Sequence, residues 1–110
     1  MPATVQIAFH GMDASPAMEA RVRRRVDELT QLSDRIVTCK VVLEATHRSQ
    51  RQGTIYRIRI ELLVPGGEIV VSQEPGMNHA HEDLGVAIRD AFDAARRQLQ
   101  DRIRRLDAVR

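Results

Sequence analysis

Between His81 and Leu106 the chain has no proline and one glycine, and Leu84, Ile88, Ala91, Ala95, Leu99, Ile103 and Leu106 recur at steps of three and four. That period gathers them on one stripe of an α-helix. Glu82 and Asp83 stand in its first turn and arginines crowd its last, which complements the helix dipole. At about 1.5 Å per residue such a helix runs to about 40 Å, longer than one small sheet needs. A helix with a single apolar stripe must lay that stripe on a partner surface and leave its other faces wet. The wet faces carry Arg89, Arg96, Arg97, Arg102, Arg104 and Arg105, interleaved with Asp90, Asp93 and Asp101.

The rest of the chain supplies the partner surface. Thr4 to Phe9 alternates Val5, Ile7 and Phe9 against Thr4, Gln6 and Ala8, the pattern of a half-buried strand. A turn at 10–14 precedes Ser15-Pro16, a hydroxyl for the cap and a proline for the first helical position. The helix it starts runs to about Leu32, with Met18, Val22, Val26, Leu29 and Leu32 on one stripe. On its wet side, Arg21, Arg23, Arg24 and Arg25 face Glu19, Asp27 and Glu28, which are expected to pair with Arg23 and Arg24 across one turn. A second strand follows from about Ile36 to Thr46, with Val37, Cys39, Val41, Leu43 and Ala45 inward. After a basic loop at 47–53, a third strand spans Thr54 to Val64, with Tyr56, Ile58, Ile60, Leu62 and Val64 inward. Pro65-Gly66-Gly67 turns the chain into a fourth strand, Glu68 to Gln73, with Ile69 and Val71 inward.

The order is therefore β-α-β-β-β-α, an α+β fold. Half-polar strands call for one four-stranded mixed sheet with two helices packed on one face. The first strand, helix and second strand form a right-handed crossover and thus a parallel pair; the last three strands form an antiparallel meander. The 110 residues read as a single domain, 1–110. No apolar run is long enough for a membrane span, and no secretory signal is present. One cysteine excludes an internal disulfide and fits a reducing compartment, so the expected location is the cytoplasm.

Signals for catalysis are weak. There is no glycine-rich phosphate loop, no paired-cysteine motif and no nucleophile elbow. His79, His81, Glu82 and Asp83 form the only cluster of metal-ligand types. Their spacing defines no metal set, and they read as a helix-capping segment rather than a metal or acid-base site. No enzyme, no cofactor, no metal and no small-molecule substrate are expected. Cys39 alternates with aliphatic residues and reads as core.

The formal net charge is only +2, yet 16 of the 17 basic residues are arginine. Any polyanion must therefore be met by local clusters. A wet face stitched by Asp93–Arg97 and Asp101–Arg105 pairs accounts for part of the pattern. Arg89, Arg96, Arg102 and Arg104 exceed what those acids can pair, and Arg23, Arg24 and Arg25 lie on the helix that should pack alongside. Arginine forks suit phosphates. The outward sheet face has no aromatic pair for stacking bases, so RNA would be met through its phosphates along helices and loops. A protein-interaction or self-association module is the alternative reading.

Several stretches resemble the ribosome hibernation-promoting factors and ribosome-associated inhibitors, a family also described as sigma modulation proteins. They are the β-α-β-β-β-α order, Asp34-Arg35-Ile36 before the second strand, Gly66-Gly67-Glu68-Ile69 in the hairpin, and Asp83-Leu84-Gly85-Val86-Ala87-Ile88 with Arg97-Gln98-Leu99 in the last helix. The resemblance runs from about Val5 to Leu106. It implies binding to small-subunit ribosomal RNA near the decoding centre, with translation inhibited and idle ribosomes preserved under stress. Arg25 matches a basic position of the family's first helix; Arg97, Arg104 and Arg105 match basic positions of its last. Gly85 (or Leu84, one residue earlier in register), Ala94 and Asp101 depart from it, standing where the resemblance implies a tyrosine, a lysine and a basic residue. The chain lacks the dimerisation domain of the long-form factors and so resembles a short form, expected as a monomer or weak homodimer. The expected RNA-binding set is Arg24, Arg25, Arg89, Arg96, Arg97, Arg104 and Arg105.

Overall fold

The structure is a computed structural model that describes residues 3–47, 54–73 and 84–108. Its elements run β1 (Thr4–His10), α1 (Pro16–Leu32), β2 (Thr38–His47), β3 (Thr54–Val64), β4 (Gly67–Gln73) and α2 (Leu84–Ala108). The strands form one sheet in the order β1-β2-β3-β4. β1 pairs parallel to β2, whereas β2 with β3 and β3 with β4 are antiparallel. The expected order, crossover and meander are all present.

Local chemistry sets the boundaries. Ser15 caps α1, its Oγ accepting from the Met18 backbone N–H at 3.3 Å, and Pro16 opens the first turn. The Ser33 N–H donates to the Leu29 carbonyl at 3.1 Å and closes the helix. The β3–β4 hairpin turns at Pro65-Gly66, with Gly66 at φ 87, a backbone setting that glycine adopts without steric cost. α2 extends two residues past the expected Leu106, and the expected start at His81 lies outside the described residues, as do the loops at 48–53 and 74–83.

One sheet face carries the core. Cys39, Val41, Leu43, Ile58, Ile60, Leu62, Ile69 and Val71 are buried there beneath Val22, Val26 and Leu29 of α1 and Leu84, Ile88, Ala91, Ala95 and Leu99 of α2. The α2 stripe is wider than expected, since Ala87 and Phe92 are buried as well. Inward residues with a paired strand on each side, such as Val41 and Ile60, are fully buried. Val5, Ile7 and Phe9, on the edge strand β1, are only partly covered, as is Tyr56.

Two expectations fail. Val37 is 53% exposed rather than inward, because regular alternation starts at Thr38; Ile36 takes the buried place instead. Leu32 is 36% exposed, because the buried α1 stripe ends at Leu29 and Leu32 is the helix's last residue.

Two predictions follow from this packing. Gly11 has φ +71, and a Cβ there would run into the Ala45 carbonyl of β2. Gly11→Ala should therefore lower stability by about 1–3 kcal/mol in urea denaturation, with the fold retained. Burial pushes the Cys39 thiol up to about 11 from 9.0. Below pH 9 the folded and unfolded chains both keep that proton. Between 9 and 11 the unfolded chain loses it while the folded chain holds it, so stability should fall as pH rises through this window. A Cys39→Ala variant, compared by denaturation at neutral and alkaline pH, should lose that part of the alkaline decline.

Candidate nucleic-acid interface

The sheet positions the two helices. α2 crosses β3 and β4, and α1, carried over by the crossover from β1 to β2, packs beside it. Each helix spends its apolar stripe on the sheet, so its polar sequence is forced outward. Between the helices runs an open groove lined by Arg21, Arg24, Arg25, Glu28, Gly85 and Ile88. Three arginines share that groove with one glutamate, a local surplus of two positive charges.

Helical periodicity places the α2 arginines relative to this groove. At about 100° per residue, Arg89 and Arg96 lie within about 40° of Gly85 and so on the flank facing α1. Arg97 and Arg104 lie about 100–120° round, on the adjoining outward strip. Arg105 lies about 200° round, on the far flank. Of the expected set, Arg24 and Arg25 line the groove; Arg89 and Arg96 fall further along the same flank of α2, Arg97 and Arg104 on the adjoining outward strip, and Arg105 on the far flank. Arg21 belongs to the groove and was not in the expected set. Its spacing of three and four from Arg24 and Arg25 is the signal that could have found it.

The ion pairs differ in part from those expected. Glu19 pairs with Arg23 at 3.2 Å as anticipated. Glu28 pairs with Arg25 at 3.5 Å rather than with Arg24. Neither Asp93–Arg97 nor Asp101–Arg105 forms; Asp101 instead approaches Arg104 at 4.0 Å. Arg89, expected in surplus, pairs with its neighbour Asp90 at 3.2 Å. All of these pairs are solvent-exposed and therefore weak, worth at most about 1 kcal/mol each, and a polyanion can displace them. Arg24, Arg96, Arg97 and Arg105 have no carboxylate partner among the described residues. Arg102, also expected in surplus, lies against Gly67 of the hairpin, its Nη1 3.2 Å from where a Cβ would stand. Between Leu84 and Arg105, six arginines face three aspartates, a surplus of three.

The uncovered sheet face is electrically balanced. Arg57 lies 3.7 Å from Glu44, and Arg59 lies 3.2 Å from Glu61. Lys40 and Glu68 complete a mixed set round a shallow depression with Gln6, Thr38 and Leu63. Among the described residues this face offers neither a cationic track nor stacked aromatic rings. Among the described residues no group of three or more His, Cys, Asp or Glu could hold a metal ion, and no helix is long and apolar enough to cross a membrane. His79, His81, Glu82 and Asp83 lie outside the described residues.

Comparison with known proteins sets this geometry in context. No curated protein matches the chain in sequence. The fold is similar to a solved ribosomal subunit interface protein from Coxiella burnetii, at 15% identity and TM-score 0.72, covering 89% of this chain and 94% of that one. It is also similar to the N-terminal domain of Thermus thermophilus Protein Y, at 22% identity and TM-score 0.67, covering 89% and 97%. Residues 5–107 match the family described as sigma 54 modulation protein / S30EA ribosomal protein. The chain belongs to that family, which bears out the resemblance read from its sequence.

Proposed function

We propose that this chain, as a member of that family, binds ribosomal RNA of the small ribosomal subunit near the decoding centre, inhibiting translation and preserving idle ribosomes under stress. Family membership supports the ribosome as partner. The observation that carries the RNA contact is the two-helix groove, whose α1 wall holds Arg21, Arg24 and the weakly paired Arg25, with Arg89 and Arg96 further along the α2 flank that borders it. Guanidinium groups from two elements at fixed spacing suit a run of phosphates better than a single charged helix face does. Arg97 and Arg104 extend the track outward, and Arg105 serves as a peripheral contact. Binding of this kind reads backbone shape rather than base identity, consistent with a sheet that offers no stacking platform. No catalytic step is needed, since occupancy alone blocks translation, and the place of action is the cytoplasm.

The alternative, a partner protein docked on the helices, finds little surface there. The apolar stripes of both helices are already buried against the sheet.

Co-sedimentation with purified small subunits tests the proposal. Binding should weaken steeply with salt, by roughly one log unit of affinity per log unit of salt for each phosphate contact. Arg96→Glu with Arg97→Glu should reduce binding by at least about tenfold and flatten the salt slope, while circular dichroism stays unchanged. Arg105→Glu, on the far flank, should cost less. Undiminished binding by the double variant would remove this part of α2 from the interface. Salt-insensitive binding would point to a protein partner held by apolar area.

A further inference from the structure

β4 is the outer strand of the sheet, with no strand beyond it among the described residues. Its backbone polarity can be read from the ladder. The Leu63 carbonyl accepts from the Val37 N–H at 2.8 Å, so Leu63 turns its backbone toward β2 and away from its β4 partner, Glu68. In an antiparallel ladder this alternates. Gly67, Ile69 and Val71 therefore bond to β3, while Glu68, Val70 and Ser72 turn their N–H and C=O groups to the open edge. Edge strands commonly carry proline, lysine or a bulge against unwanted pairing. The strand Gly67–Gln73, GEIVVSQ, has none of these in its sequence and a single charge, near one end.

We infer that β4 is a self-association edge, pairing antiparallel with β4 of a second copy of this chain about a twofold axis at Val70. Three features favour a second copy over an unrelated strand. The first is register. Centred on Val70, the pairing sets Val70 against Val70, Glu68 against Ser72 and Ile69 against Val71, so like charges never meet and apolar residues meet only apolar ones. The second is exposure. Val70 alternates onto the uncovered sheet face, where it is a large apolar side chain left 40% exposed, and the mate's Val70 would cover its flank. The third is the geometry of the helices. Strands lie about 4.8 Å apart, so two copies of α2, each over its own β3–β4 pair, would lie about 10 Å apart, the spacing at which helices pack. The α2 flank turned that way, opposite the groove, carries Ala94 and Gln98, with Asp101 and Arg105 nearer its end. Small and neutral side chains allow that approach; the arginine groove points away and stays open on each copy. The product is an eight-stranded sheet with four helices on one face.

Light scattering on the purified chain across roughly a hundredfold range of concentration tests this, because a dimer dissociates on dilution. Dimers should form at the upper end. Val70→Glu sets two carboxylates face to face at the axis and should raise the dissociation constant by at least about tenfold. Ser72→Pro removes an outward N–H that β3 does not use, so it should leave the monomer folded by circular dichroism and weaken the dimer likewise. A chain that stays monomeric throughout, or a dimer indifferent to both substitutions, overturns the inference. Ribosome binding is read separately, because neither substitution touches the arginine groove.

Discussion

The constraint on which the molecule depends is that its sheet has one greasy face and two helices with one greasy stripe each. Alternation along β2, β3 and β4 leaves aliphatic side chains on a single side, and only something of helical width and matching chemistry can cover them. Once α1 and α2 are laid there, both apolar stripes are spent on the sheet, with Leu32 at the end of α1 the large apolar side chain left exposed among the described helical residues. What those helices offer a polyanion, they offer through charge. The arginines are therefore a consequence of the architecture as well as a device: the fold leaves polar faces, and the sequence has filled them with forked cations.

Pairing between these cations and nearby acids tunes rather than cancels the charge. Glu19, Glu28, Asp90 and Asp101 each engage one guanidinium at 3.2–4.0 Å in the open. Contacts of this strength keep side chains presented without holding them. The inward groove wall, with Arg21, Arg24 and Arg25, is the denser half of the cationic surface, and Gly85 opposite it adds no side chain to crowd a ligand.

Much of the architecture was legible in the sequence because the periods are clean. Thr54–Val64 was bounded correctly at both ends, and Pro16 and Leu32 bounded the first helix. Period breaks were harder. Val37 and Leu32 match their stripes in sequence but lie where the element has just begun or is about to end, and parity carries no information there. Charge pairing was the least legible. Spacing of four predicts which side chains could meet, yet Glu28 chose Arg25 and Asp101 chose Arg104, both at spacing three, since exposed rotamers differ by little energy. Arg105 could not be told from Arg104 by charge; only the position of the neighbouring helix separates them.

The parallel pairing of β1 with β2 gives assembly of this sheet a direction. β3 and β4 meet through a two-residue turn, whereas β1 reaches β2 only after the whole of α1 has been laid down. Closing the longer loop costs more chain entropy before any ladder bond repays it. The meander is thus the natural seed, and the first strand docks late onto a surface already built. Held by one neighbour and half covered, that strand is also where the native state opens most readily, leaving the helix over β3 and β4 undisturbed.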